Sequence, residues 1–141
     1  MSRIVVISNP RSKKNRKDPG LHDDLGRILG RMGRVESPDG FEEINALARD
    51  LLDERPEVLA INGGDGTLGV VMTALEKGWD DSPFPQILLL RGGTMNTVAK
   101  NLGLKGKPRA LLTQAVARVS AGDGLRTKTR WMLNVNGRLG F

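Results

Sequence analysis

The sequence predicts an α/β fold in three layers, α/β/α, around an open and mostly parallel sheet. Two observations predict it. Short apolar runs of strand length alternate with longer stretches of helical spacing, four times in succession, as in strand–helix units of a parallel sheet. The runs are continuous rather than alternating, which suits strands covered on both faces. A length of 141 residues fits one domain, long enough to bury about two-thirds of its unfolded surface.

The first run, Ile4-Val5-Val6-Ile7, is β-branched throughout and predicts a buried strand. A polar loop is expected over residues 8–20. Leu21, Leu25, Ile28, Leu29 and Met32 then fall at helical spacing, on one face of a helix stopped by Gly33. Residues 34–37 form a short second strand. The next helix starts near Asp39, turns Phe41, Ile44, Leu47, Ala48, Leu51 and Leu52 inward, and ends before Pro56. Val58-Leu59-Ala60-Ile61 is the third strand, and residues 67–77 are a helix with Val70, Val71, Ala74 and Leu75 inward. Residues 87–90 form the fourth strand. A short helix covers 96–102, and Pro108 opens a last one with Leu111, Leu112, Ala115, Val116 and Val119 on one face. The tail changes character: residues 127–135 read as extended, and Asn136-Gly137 is a hairpin turn.

Composition removes several function classes. With no Cys there is no disulfide framework, thiolate metal site or cysteine nucleophile, and the single His22 rules out a His-rich zinc site. No apolar run approaches the ~20 residues of a membrane span. Residues 4–7 are too short for the apolar region of a signal peptide, so the cytosol is the expected location. Aromatics are few (Phe41, Trp79, Phe84, Trp131, Phe141), and no recognition motif is present, so no nucleic-acid partner is expected. The 22 Lys+Arg against 16 Asp+Glu leave a net charge of +6, which favours an anionic partner. Glycine is in excess, 18 of 141 residues against an average near ~7%.

Three loops follow strands and carry the candidate chemistry, at the strand ends where open α/β sheets bind ligands. The first is Gly63-Gly64-Asp65-Gly66-Thr67. Its glycines let backbone N–H groups approach phosphate oxygens, and the following helix N-terminus adds partial positive charge. Asp65 is unusual there, because a carboxylate repels phosphates unless Mg²⁺ bridges them or it takes a proton. The combination points to phosphoryl chemistry. The run is not a Walker A loop, lacking Gly-Lys-Ser/Thr. Gly64-x-Gly66-x-x-Gly69 matches the dinucleotide signature in form, but the next strand ends in Leu90-Arg91-Gly92 without the required carboxylate. Without a ligand, the same run is a tight strand–helix turn.

The second loop is Gly92-Gly93-Thr94-Met95-Asn96, whose small and polar residues suit a phosphate or a sugar edge. Thr94 or Asn96 could equally serve as a helix cap. The third, residues 9–17, holds Arg11, Lys13, Lys14, Arg16 and Lys17 at the end of the first strand; a solvated charge run is the alternative. His22 receives no role, and Asp23 and Asp24 are first-turn acids favoured by the helix dipole.

Taken in this order, the loops resemble the nucleotide-binding half of the diacylglycerol kinase catalytic family, which includes sphingosine, ceramide and bacterial lipid kinases and is related to NAD kinases. The resemblance covers about residues 3–136 and rests on Gly-Gly-Asp-Gly-Thr at 63–67, Gly-Thr-x-Asn at 93–96 with Ala99 and Leu102, and Asn9-Pro10 after the first strand. It implies a Rossmann-like nucleotide domain with ATP across the strand ends. Asn9, Pro10, Arg11, Ser12 and Lys13 would form the first phosphate-facing loop, and Ser37 stands where the family has a nucleotide-contacting Thr. Gly63, Gly64, Gly66 and Thr67, on to Val70, would wrap the phosphates. Gly93, Thr94 and Asn96 would face the adenosine side, and Asp65 would organise Mg²⁺ and phosphate or activate the acceptor hydroxyl.

Four positions depart from the family pattern: Gly69-Val70 replaces Asn-Glu, Thr97 replaces Asp, and Lys13 replaces Gly. No particular lipid is therefore named. The resemblance also implies a second domain, a β-sandwich supplying the lipid pocket. Residues 1–125 are expected to be the ATP-binding domain and 126–141 the start of that second domain, so that the chain would be a fragment without a complete active site. The implied function is an ATP-dependent lipid kinase moving the γ-phosphoryl group to the hydroxyl of diacylglycerol or a related lipid, with peripheral membrane contact. The alternatives are an NAD kinase-like enzyme, disfavoured by the Gly-Thr-Met-Asn loop, and a nucleotide-binding regulatory module without catalysis. Self-association stays open.

Overall fold

The computed structural model describes residues 2–93 and 96–140. β1 (Ile4–Ser8), β2 (Gly33–Glu36), β3 (Val58–Asn62) and β4 (Gln86–Leu89) form one parallel sheet in the order β2-β1-β3-β4. Ile4 pairs with both Gly33 and Val58, and Val58 with Gln86, so all four carboxyl ends point the same way. The sheet is flanked by α2 (Leu21–Leu29) and α6 (Pro108–Ser120) on one face and by α3 (Phe41–Glu54), α4 (Asp65–Gly78) and α5 (Thr97–Asn101) on the other. This is the expected three-layer α/β fold.

The layers follow from strand alternation. Val5, Ile7, Leu59, Ile61 and Leu89 pack with Leu47, Leu51, Val71 and Leu75 of α3 and α4. Their neighbours Ile4, Val6, Val58 and Ala60 point to the opposite face, against Leu25, Leu29 and Leu112 of α2 and α6. Successive side chains of a strand face opposite ways, so two helical layers demand apolar residues at every position. Each such Val, Ile or Leu side chain, fully buried, contributes about 1.5–3 kcal/mol. Right-handed crossovers explain which helix lies where: the chain leaves β1 towards β2 in one direction and returns past it to β3 and β4 in the other, which reverses the covered face.

Several elements differ from expectation. The loop over residues 8–20 contains one helical turn, α1 (Lys13–Arg16), pinned by the buried Asn15. The first helix stops at Gly30, not Gly33. Gly30 takes φ +52°, a 3-10 turn follows over Gly30–Met32, and Gly33 already belongs to β2. Phe41 is 71% exposed, because no described element packs over the first turn of α3. Leu68, not singled out by spacing, is buried, whereas Val70 is only half-buried. Of residues 127–135 only the end is strand: β5 (Leu133–Val135) pairs antiparallel with β6 (Arg138–Gly140) across the Asn136-Gly137 turn, both residues at positive φ. The hairpin lies against α4, where the Leu139 N–H donates to Thr73 Oγ1 at 3.0 Å.

Ion pairs tie α6 to α2 within one helical layer and β2 to α3 across layers. Arg109 of α6 donates two bonds to Asp18 (2.6 and 2.9 Å) and one to Asp24 of α2 (2.7 Å). These bonds hold the Asp18 carboxyl below the usual carboxylate range. Arg34 of β2 bonds Glu54 of α3; burial pushes the Glu54 carboxyl up, but Arg34 and Ser2 outweigh it and hold it low. A carboxyl depressed in the folded state contributes fully above its unfolded pKa and loses that contribution as pH falls through the folded one. Thermal stability should therefore fall as pH is lowered from about 5 to about 2. Asp18→Asn should flatten part of that fall; an unchanged slope would remove Asp18 as a source.

Candidate active site

The sheet order places a topological switch between β1 and β3, the position where open α/β sheets leave a crevice. Buried amides close its base. Asn62, wholly buried at the end of β3, donates from Nδ2 to Ser8 Oγ at 3.0 Å. The Asn9 N–H donates to the Asn62 carbonyl at 3.0 Å. Asn15 Nδ2 reaches both the Asn9 carbonyl (2.7 Å) and the Asn62 carbonyl (3.0 Å). Asn9 Nδ2 in turn donates to Thr67 Oγ1 at 3.1 Å, joining the loop after β1 to the glycine loop after β3. Asn15 Oδ1 and Asn62 Oδ1 have no partner among the described residues.

Above this base lies a cavity of about 640 Å³, within the range of small-molecule sites. Asn9, Pro10, Arg11, Ser12 and Lys13 line it from one loop, Gly64, Gly66 and Thr67 from the second, and Gly93 from the third. Nine of the residues predicted from sequence thus meet at one cavity. Gly64 and Gly93 meet backbone to backbone: a Cβ on Gly93 would lie 2.2 Å from Gly64 Cα, so only glycine permits this contact.

The remaining predicted residues lie elsewhere. Asp65, Gly63 and Asn96 line a small crevice on the other side of the glycine loop, together with Arg91. The Asp65 carboxylate accepts the Thr97 N–H (2.9 Å) and the Val98 N–H (3.3 Å), capping α5. Asn96 is buried and spends its amide on its own loop: it accepts the Gly93 N–H at 3.1 Å and donates to the carbonyls of Gly93 (2.7 Å) and Arg91 (3.2 Å). Ser37 is next to the cavity wall but contacts His22 Nδ1 at 3.3 Å. Thr94 lies outside the described residues.

The sequence reading missed one wall entirely. Pro38, Asp39 and Gly40, with Phe41 and Ile44 of α3, close the cavity opposite the basic loop. The same strand-end rule that found the other loops would have found this one, since it follows β2. Asp39 Oδ1 and Arg11 Nη2 are 2.7 Å apart, an ion pair between two cavity-lining residues. Asn15 was missed because nothing in a basic run marks one amide as buried.

The electrostatics suit an anion. Among the described residues no side chain caps α4, and the Leu68 N–H donates to the Gly64 carbonyl. The Gly66 and Thr67 N–H groups, in the first turn, have no intrahelical partner and stand at the cavity with the helix's partial positive charge. Lys13 and Arg11 add full charges.

Residues 3–125 match the diacylglycerol kinase catalytic domain family. No curated protein matches the chain. Three solved structures from Bacillus anthracis, described as diacylglycerol kinases and two of them only provisionally so, share the fold, with TM-scores of 0.63, 0.63 and 0.65 at 14%, 14% and 15% identity. The superpositions cover 83% of this chain and 42%, 40% and 41% of theirs, so the chain spans about two-fifths of the structures it matches. At such identity they speak for the fold alone. The match to the family over residues 3–125, most of the chain, is decisive: the chain belongs to the diacylglycerol kinase catalytic domain family.

Proposed function

We propose that the chain is the ATP-binding part of a lipid kinase that transfers the γ-phosphoryl group to a lipid hydroxyl. The observation that carries this is the uncapped N-terminus of α4 opening into a cavity rimmed by Lys13 and Arg11, in a chain of this family. The Gly66 and Thr67 N–H groups would hold phosphate oxygens, with Lys13 and Arg11 neutralising charge, and Asn9 would keep the two phosphate-facing loops in register.

Mg²⁺, when bound, would neutralise the phosphates further. Asp65 is the carboxylate nearest the glycine loop in sequence, and each of its oxygens keeps a second lone pair beyond the α5 N–H bonds. Among the described residues no cluster of three or more His, Cys, Asp or Glu forms a cage. A single carboxylate suits Mg²⁺, which commonly takes one or two from protein and fills its shell with water and phosphate oxygens. No described helix is long and apolar enough to cross a membrane, so lipid would be met at a surface. A second reading, a nucleotide-binding module without catalysis, is favoured by one observation: Asp65 is already committed to capping α5.

Calorimetric titration with ATP and Mg²⁺ should show binding, weakened about three- to tenfold by Lys13→Ala, the scale of one charge-assisted contact. Absence of binding, or indifference to the substitution, would overturn the phosphate site. Asp39→Ala should act in the opposite direction. Freeing Arg11 from its ion pair should tighten ATP by about two- to fivefold, an effect that fades in high salt. Asp65→Asn keeps one acceptor for the α5 cap and should leave the fold intact. In the full-length protein that carries this domain, lipid phosphorylation assayed with ATP and diacylglycerol micelles should drop by about 100-fold or more in that variant if Asp65 handles the proton or the metal. Undiminished turnover would sink the catalytic role, and ATP binding with no turnover in either form would favour the binding module.

A further inference from the structure

A second cavity, of about 540 Å³, runs along the outer side of α4 between α3 and the β5–β6 hairpin. Phe41 and Ile44 form one wall, Val70 the floor and Leu139 the other wall. The charged residues lining it are Lys77 and Arg138, both exposed, and neither pairs with a carboxylate among the described residues. The Thr73 hydroxyl is already spent: it donates to the Gly69 carbonyl at 2.7 Å and accepts the Leu139 N–H at 3.0 Å.

Two features need an explanation. Phe41 occupies the inward register of an amphipathic helix yet is 71% exposed, and it faces this groove. Gly69 sits in mid-helix, where glycine is disfavoured relative to alanine. Its position leaves room for a Cβ, with only the Leu139 carbonyl at 3.4 Å, so packing against the hairpin does not demand glycine. What its missing side chain preserves is open groove.

We infer that this groove binds a single-chain anionic amphiphile of the fatty-acid type, its chain along α4 and its charged head at Lys77 and Arg138. Apolar walls ending in two cations, with Asn45 the other polar side chain besides Thr73 and no acid in the lining, are complementary to that chemistry. The volume is that of a small-molecule site rather than a surface resting on a bilayer. The groove adjoins the nucleotide cavity and shares Phe41, Ile44, Gly66 and Val70 with it, but its charged end at Lys77 and Arg138 belongs to the groove alone, and the test below reads amphiphile binding without nucleotide.

Fluorescence titration with cis-parinarate should saturate, and oleate should displace it. Oleyl alcohol, with the same chain and no charge, should need a several-fold higher concentration. The double variant K77A/R138A should lose about five- to tenfold in oleate affinity, the scale of two exposed charge contacts, and nothing towards oleyl alcohol. Gly69→Leu, with its fold checked by circular dichroism, should abolish both, whereas Gly69→Ala should retain them. No saturation, or a double variant that binds oleate like the parent, overturns the proposal. So does retention on phosphatidylglycerol vesicles without any displacement of cis-parinarate by oleate, which would mark a membrane-facing patch instead.

Discussion

The side-chain amide of Asn15 reaches the carbonyls of Asn9 and Asn62 at once, at the point where β1 and β3 part. A parallel sheet that reverses its winding direction opens a gap there, where the Asn62 carbonyl takes one backbone donor, the Asn9 N–H, and the Asn9 carbonyl takes another, the Ser12 N–H. Asn15 adds a second donor to both carbonyls and so bridges the two strand ends with one side chain, carried in by the single helical turn of α1. Asn62 Nδ2 bonds the Ser8 hydroxyl on the strand beside it. The basic loop is thereby held at the sheet instead of drifting in solvent.

Everything above the switch point inherits this stitching. With the basic loop fixed, Asn9 can bond Thr67 and hold the start of α4, and the Gly64–Gly93 contact brings the third loop alongside. Asp65 reaches across to α5, so the loop after β4 is attached at both ends. Asn96, Asp65, Asn15 and Asn62 all spend polar atoms on the scaffold. What remains for a ligand is the α4 N-terminus and the head of Lys13, all donors, with Arg11 held at the rim by its ion pair to Asp39. The chemistry of the cavity is set as much by what the scaffold has consumed as by what faces inward.

Much of this was legible in the residues, for reasons that differ by element. Continuous apolar runs such as Val58–Ile61, too short for a helix and closed by glycines, read as strands covered twice, and helical spacing marked α2, α3 and α6 within a few residues. The Asn-Gly turn named its own geometry, because both residues tolerate positive φ. Phe41 was misread because periodicity says which way a side chain points along a helix and nothing about whether another element arrives to cover it. The four-residue α1 was missed because its anchoring bonds come from residues 6 and 47 positions away, and no local pattern records them.

The sequence by itself determined the layered α/β fold, the three loops and their phosphate-seeking character, because each follows from local periodicity or from residue types whose chemistry is intrinsic. Only the tertiary structure decided how those residues divide their labour. Asp65 and Asn96 carry the polar groups a ligand would want, yet Asp65 is bonded to the first N–H groups of α5 and Asn96 to the backbone of its own loop. Asp39 and Phe41 looked like helix entry and core, yet they wall the cavity. A hydrogen-bonding group has a fixed capacity and meets whichever partner the fold brings closest, and that proximity is a property of the packed sheet and helices, absent from any short stretch of the chain.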